Sequence, residues 1–181
     1  MNRTAGITFS LAALALAGCV TIDNDQRGRD NGPLASAALQ RSDGAGVGEA
    51  RLVGQGSDLV LRVRARGLPP GPHGIHIHAV GRCDPPDFMS AQGHWNPGQR
   101  AHGSANPAGM HAGDLPNLQI GANGEGSVAF RLVPAAAGSD AATLFDDDGA
   151  AVVIHAAADD LLTDPSGNSG ARIACGVLVR R

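Results

Sequence analysis

A chain of 181 residues is long enough for one domain with its own core. Aromatic residues make up only 3% and Tyr is absent, so Val, Leu, Ile and Ala must fill that core, and 26 glycines with 11 prolines favour a turn-rich fold over a helical bundle. The net charge is −3, every basic residue is Arg, and the arginines form no run, so nothing in the sequence points to nucleic-acid binding.

Residues 1–18 read as a signal peptide: Arg3 precedes an apolar stretch, Ile7 to Ala17, too short to span a bilayer as a permanent helix. The stretch ends Leu16-Ala17-Gly18-Cys19, which resembles the lipobox of bacterial lipoproteins. That resemblance implies cleavage before Cys19, lipidation of Cys19, and an exported protein anchored to a membrane on the periplasmic side of the envelope. Residues 19–33 are polar without hydrophobic period and read as a flexible tether, which spans on the order of 20 Å. With Cys19 so assigned, Cys83 and Cys175 remain, an even pair in an oxidising compartment and the expected partners of a disulfide.

From 34 to 181 the pattern is that of one domain built from short strands. Ala35–Gln40 and Val47–Val53 come first, separated by Ser42-Asp43-Gly44. In Leu59–Arg66 the residues Leu59, Leu61, Val63 and Ala65 alternate with Arg62, Arg64 and Arg66, the period of a half-buried strand. Pro69-Pro70-Gly71 breaks it, and Ile75–Ala79 follows. After a long excursion rich in Gly, Pro and His come Leu118–Ile120, a turn at Asn123-Gly124, then Ser127–Val133, Ala150–Ala157 and Ala171–Val179. Eight short strands and no long helix predict an all-β fold, an eight-stranded antiparallel Greek-key barrel or immunoglobulin-like sandwich.

Five of the seven histidines stand between Gly74 and Asp114. Histidine is the commonest metal ligand among side chains, and core packing does not explain so many in one stretch. His76 and His78 are two apart on a strand and so project from one face. His155, in another apolar strand, can reach the same point; with one more imidazole these make an all-nitrogen site suited to Cu(II). His102, His111 and Asp114 with a shared imidazole make a four-coordinate N/O site suited to zinc, and His94 is the candidate to serve both. Taken singly the residues are unremarkable: His155 could be a satisfied core histidine, Asp159 a solvated carboxylate, Arg172 a surface charge. His73 fits no ligand position and reads as a hydrogen-bonding histidine near a turn.

The ordered set resembles the copper/zinc superoxide dismutases of the bacterial, exported type over roughly residues 35–181. It is carried by Gly74-Ile75-His76-Ile77-His78, His94-Trp95-Asn96-Pro97, His102-Gly103, His111-Ala112-Gly113-Asp114, Ile154-His155, Asp159-Asp160, and Gly167 through Gly176. The resemblance implies copper on His76, His78, His94 and His155, and zinc on His94, His102, His111 and Asp114, with one of each metal per subunit. It further implies that Asp159 links ligands of the two metals, that Cys83–Cys175 is the disulfide pinning the metal loop, and that Arg172 holds the superoxide anion. The implied reaction turns superoxide into dioxygen and hydrogen peroxide by alternating reduction and reoxidation of copper, with His94 delivering a proton. A non-catalytic copper/zinc-binding relative on the same barrel is the alternative.

Three departures stand out. Gln92 occupies a position where that family usually has Gly, so the backbone next to His94 is expected to differ. The segment Asp84-Pro85-Pro86-Asp87 borders the family's usual dimer contact, which leaves homodimer and monomer both open. The loop from Asp159 to Gly170 has no Lys, so any field steering the anion must come from Arg172 and from Arg82 or Arg100.

Overall fold

The structure, a computed structural model, describes residues 33–55, 58–132 and 144–181. The signal segment, Cys19 and the tether up to residue 32 lie outside the described residues. Within them the chain forms ten strands: β1 (Ala35–Gln40), β2 (Gly46–Gln55), β3 (Asp58–Ala65), β4 (Gly71–His73), β5 (Ile75–His78), β6 (Leu118–Ile120), β7 (Gly126–Leu132), β8 (Ala151–His155), β9 (Arg172–Val177) and β10 (Val179–Arg180), with one 3-10 turn at Met89–Ala91. The expected strands appear within a residue or two of their predicted bounds; β4 and β10 are additional.

Eight of these form one curled antiparallel sheet in the order β5-β8-β9-β1-β2-β3-β7, with β10 beside β1. The chain crosses from β3 to β5 and from β7 to β8, between opposite ends of that order, which is the long-return connection of Greek-key folds. Alternation decides what lies inside. In β3, Leu61 and Val63 are at most 1% exposed while Arg62 and Arg64 face water. Leu39, Leu52, Ile75, Ile77, Val152 and Ile154 join them in a single core, and each buried aliphatic side chain contributes about 1.5–3 kcal/mol.

The turn at Asn123-Gly124 forms, with Gly124 at φ 77° and the Gly121 N–H donating to the Glu125 carbonyl at 2.9 Å. The two strands beside it nonetheless part company. β7 pairs with β3 from Leu59↔Leu132 to Ala65↔Gly126, whereas β6 pairs with β4 in a separate two-stranded sheet. Pro72 lacks an N–H and suits a short edge strand of this kind, so the chain at the end of the Pro69-Pro70-Gly71 breaker, Gly71 to His73, forms a strand of its own.

What positions the site is the opposite face of β5 and β8. His76 pairs with Val153 and His78 with Ala151, and cross-strand partners share a face. Ile75, Ile77, Val152 and Ile154 take the core face, so the two histidines point outward. A second apolar cluster of Phe88, Ala91, Ala151, Val153 and Cys175, with Cys83 against it, roofs this outer face. The Cys83–Cys175 disulfide, Cα–Cα 5.7 Å, ties the loop after β5 to β9.

Candidate metal centre

The open edge of β5 is covered by two pieces of that loop. Ile77 donates its N–H to the Gly113 carbonyl at 2.9 Å, its own carbonyl accepts from the Trp95 N–H at 2.8 Å, and Gly113 donates to the Trp95 carbonyl at 2.8 Å. His94 and Asp114 are thereby set beside His78 and His76. Gly113 is required at this contact: a Cβ there would lie 2.2 Å from the Ile77 carbonyl oxygen.

His155 enters from β8, where a register shift follows Ile154 and Arg172 of β9 becomes its cross-strand partner. His76, His78, His94 and His155 present one nitrogen each to a common space, and His94, His102, His111 and Asp114 form a second group. Each group's ligand atoms lie within 4.8 Å of one another. His94 is the one residue in both.

Hydrogen bonds on the far side of each ring decide which nitrogen faces inward. His76 Nε2 meets Asp159 Oδ2 at 2.6 Å, His78 Nδ1 meets the Gln92 carbonyl at 2.7 Å, and His155 Nδ1 meets the Gly170 carbonyl at 3.1 Å. His94 Nδ1 is 2.8 Å from Asp114 Oδ1. The four nitrogens left over, His76 Nδ1 and the Nε2 atoms of His78, His94 and His155, are buried without a hydrogen-bond partner. An orphaned buried polar atom costs about 1–3 kcal/mol, so four converging on one space are the mark of a ligand set. Four imidazole nitrogens fit copper.

In the second group three ring nitrogens surround one carboxylate oxygen. Asp114 Oδ1 lies 2.8, 3.0 and 3.1 Å from Nδ1 of His94, His102 and His111, and the His94 and His111 Nδ1 atoms are 3.2 Å apart. A tetrahedral ion with zinc-length bonds spaces its donors by about 3.3 Å, close to these separations. The donor set fits zinc. Asp114 Oδ2 accepts the backbone N–H groups of Gly103 and His111, which fixes the carboxylate.

Burial lowers the pKa of His78 to about 2, of His155 to about 3 and of His94 to about 4, so all three are neutral rings with a lone pair to offer. For Asp114 burial works upward but hydrogen bonds from His111 and His94 prevail and hold it well below the carboxylate range. Asp159 is lowered for the same reason, burial being outweighed by His76 and His102.

Asp159 joins the two groups. Oδ2 binds His76 Nε2 and Oδ1 lies 3.0 Å from His102 Nε2, with all three side chains buried. These outward nitrogens account for the third metal-like cluster of His76, His102 and Asp159, which is a hydrogen-bonded link. Gly167 makes room for it, since a Cβ there would come 1.8 Å from Asp159 Oδ1.

Arg172 lies opposite His155 on the same face, half-buried, with Nη1 donating to the Phe88 carbonyl at 2.7 Å and Nη2 to the Gln92 carbonyl at 2.6 Å. Burial lowers its pKa, but from an ordinary value so high that it stays cationic. Gln92 itself is strained: φ 62° and ψ −148° is a conformation essentially reserved for glycine. His73 is buried and bridges the carbonyl oxygens of Pro69 and His155.

Several supporting residues had no signal in the sequence. Asn117 clasps the Asp159 backbone from both sides, donating to its carbonyl at 2.9 Å and accepting its N–H at 2.8 Å. Asp164 accepts the His102 N–H at 2.6 Å. Phe88 supplies one of the two carbonyls that aim Arg172. Each acts through a contact more than 40 residues away in sequence, which no local pattern encodes.

Comparison with known proteins points the same way. The profile of the copper/zinc superoxide dismutase (SODC) family matches residues 47–178. A Cu-Zn superoxide dismutase of Aquifex aeolicus is 42% identical over 147 residues, spanning 78% of this chain and 85% of its own. The solved structure of a SOD-like protein from Bacillus subtilis has 42% identity and a TM-score of 0.73, covering 80% of this chain and 97% of that one. The Cu/Zn superoxide dismutase of Brucella abortus has 28% identity and a TM-score of 0.61, covering 78% and 97%. With a profile match over well more than half its length, the chain belongs to the copper/zinc superoxide dismutase family.

Proposed function

We propose that this protein disproportionates superoxide, with copper held by His76, His78, His94 and His155 and zinc by His94, His102, His111 and Asp114. The observation that carries the reading is the set of four orphaned ring nitrogens with a cationic arginine on the neighbouring strand. Copper bound there supplies the one-electron chemistry that converts two superoxide ions into dioxygen and hydrogen peroxide.

The residues do the rest. Arg172 spends two N–H groups on the Phe88 and Gln92 carbonyls, which sets the guanidinium plane and leaves its other N–H groups for an anion. His94 offers Nδ1 to the zinc group and Nε2 to the copper group, so with its ring held by the zinc set Nε2 would, once released from copper, be the atom able to take up a proton and supply it to the peroxide product. Asp159 holds the His76 and His102 rings in fixed tautomers, which couples the two groups. The Arg172 charge is felt at both the His78 and the His155 rings.

The Ile7–Ala17 segment and Leu16-Ala17-Gly18-Cys19 support export, lipidation at Cys19 and attachment to a membrane on the periplasmic side, with residues 20–33 as tether and 34–181 as the enzyme.

The test is dismutation by the full chain with copper and zinc measured on the same sample. One copper and one zinc per chain with activity, and an Arg172→Ala variant that keeps both metals while losing rate, is the expected result. Full metal loading with no activity would replace this reading by a non-catalytic copper/zinc-binding protein.

A further inference from the structure

The arginines that look scattered in the sequence are not scattered on the fold. Cross-strand register runs Val179↔Ser36↔Arg51↔Arg62↔Ala129 on the outer face of β10, β1, β2, β3 and β7. The adjacent row on the same face carries Glu49↔Arg64↔Ser127, and Arg131 stands opposite Val60. Arg181 lies over this face as well, its Nε 3.1 Å from Ser36 Oγ. Five exposed arginines therefore share one sheet face in a chain whose net charge is −3. Among the described residues the acids beside them are Glu49, paired with Arg51 at 2.9 Å, Asp58, paired with Arg131 at 2.6 Å, and Glu125, which lines one groove with Arg64 and Arg66, and Arg62 has a polar partner of its own.

Two further observations give the face a direction. Leu34 and Val179, 41% and 60% exposed, are two of the few large apolar side chains that the described residues leave in water, and both lie at its β1–β10 end. Leu34 is also where residues 20–33 join the fold: its N–H donates to the Leu52 carbonyl at 2.8 Å, and the Arg181 N–H donates to its own carbonyl at 3.1 Å. Arginines that hydrogen-bond phosphate, aliphatic side chains beside them, and the tether's point of entry occupy one surface.

We propose that this face rests on the headgroups of a bilayer containing anionic phospholipid, orienting the domain beneath its tether; the proposal builds on the reading of Cys19 as a lipid anchor. Basic residues near an anionic membrane add attraction individually and fall off within a Debye length, so a tether that keeps the face close makes the contact effective. The metal centre lies on the outer face of β5 and β8, at the other end of the sheet order and across the core. Docking through the arginine face therefore leaves half-buried Arg172, and the side of the fold that carries the buried copper-facing nitrogens, turned away from the bilayer.

The experiment is vesicle flotation with the metal-loaded full-length chain carrying Cys19→Ser. Phosphatidylcholine vesicles are compared with vesicles that also contain phosphatidylglycerol, at low and high salt. Any insertion of the apolar N-terminal segment is common to all variants, so the readout is the change in anionic preference. Arg51→Glu with Arg64→Glu should weaken the preference about tenfold or more, high salt should do the same, and Arg64→Lys should retain it. Dismutase activity reports that the fold is intact, since neither residue touches the metal centre. A preference unchanged by the double reversal overturns the proposal. So does dimerisation abolished by the reversal without lipid preference, or binding of a DNA fragment in place of vesicles. The mass of Cys19 in wild-type protein from membranes separates the two readings. An unacylated Cys19 with the preference intact sinks the anchor alone, and an acylated Cys19 with no effect of the reversal sinks the face alone.

Discussion

His78 and Arg172 hang from the same oxygen. The Gln92 carbonyl accepts His78 Nδ1 at 2.7 Å and Arg172 Nη2 at 2.6 Å, so one peptide group sets both a copper-facing ring and the guanidinium that receives the anion. That carbonyl is aimed by a backbone at φ 62° and ψ −148°, a conformation that costs a glutamine about 1–3 kcal/mol and a glycine little. Arg172 and His78 together over-determine the peptide and keep the strained geometry in place.

Gln92→Gly should therefore raise the stability of the protein by about 1–2 kcal/mol, since it removes strain from the folded state and its carbonyl keeps both hydrogen bonds. Part of the gain is offset by the greater freedom of glycine in the unfolded chain. Activity and metal content should be unchanged. Denaturant unfolding measures it, and a destabilised glycine variant would show that the Gln92 side chain contributes something the backbone does not.

The link through Asp159 makes a different prediction. Its two oxygens hold His76 and His102, one ring from each metal group, so Asp159→Asn should weaken both sites at once, by the ~10–100-fold typical of lost partners to metal-binding rings. Gly167→Ala should act in the same direction without touching the carboxylate chemically, because its Cβ would fall 1.8 Å from Asp159 Oδ1 and 2.8 Å from His102 Nε2. Competition with a chelator, read for copper and zinc separately, checks both variants. Loss confined to one metal would break the link.

How much of this was legible depends on the range of the interaction. His76 and His78 declare their shared face by a spacing of two, and the alternation of Leu59 to Ala65 with arginines declares an inside and an outside. Those are local regularities of a pleated strand. The pairing of β6 with β4 was not legible, because the Asn123-Gly124 turn fixes a change of direction and says nothing about which ladder each arm joins. Asn117, Asp164 and the Phe88 carbonyl were hidden for the same reason: an amide, a carboxylate and a peptide oxygen acquire their roles only from what folding brings beside them. The arginine face is an intermediate case. Each Arg occupies a visibly outward position in its own strand, but only the register of β1, β2, β3 and β7 gathers them.

The pH dependence follows from the three neutral rings. His78, His155 and His94 titrate at about 2, 3 and 4 in the folded protein, below the ordinary 6.5, because burial disfavours the charged form. Between 6.5 and those values the unfolded chain takes up protons at these positions and the folded, metal-free protein does not. Stability is therefore full above pH 6.5 and falls as the pH drops through that window, at roughly 1 kcal/mol per pH unit or more. In the loaded protein the same protons compete with the metals and release them. Melting of the metal-free protein across this range is the measurement, and a melting temperature that stays flat down to about pH 4.5 would remove the linkage.

The disulfide bears on the arginine as well as on the fold. Cys175 sits on β9 three residues beyond Arg172, and Cys83 begins the stretch whose Phe88 and Gln92 carbonyls hold that side chain. Opening a bridge across 92 residues removes about 4–5 kcal/mol in the chain-entropy view, so Cys83→Ser with Cys175→Ser should melt at a clearly lower temperature. It should also lower the rate while both metals stay bound. The ligands His76 and His155 are held by strands and by Asp159 and Gly170, and His78 keeps its place on β5, whereas both carbonyls aiming Arg172 belong to the segment the bridge restrains. Adding Arg172→Ala to the double serine variant should then cost less activity than it does in the wild type. A full additive loss would mean that the loop keeps Arg172 in place without the bridge, through the packing of Phe88 and Ala91 on Ala151 and Val153 alone.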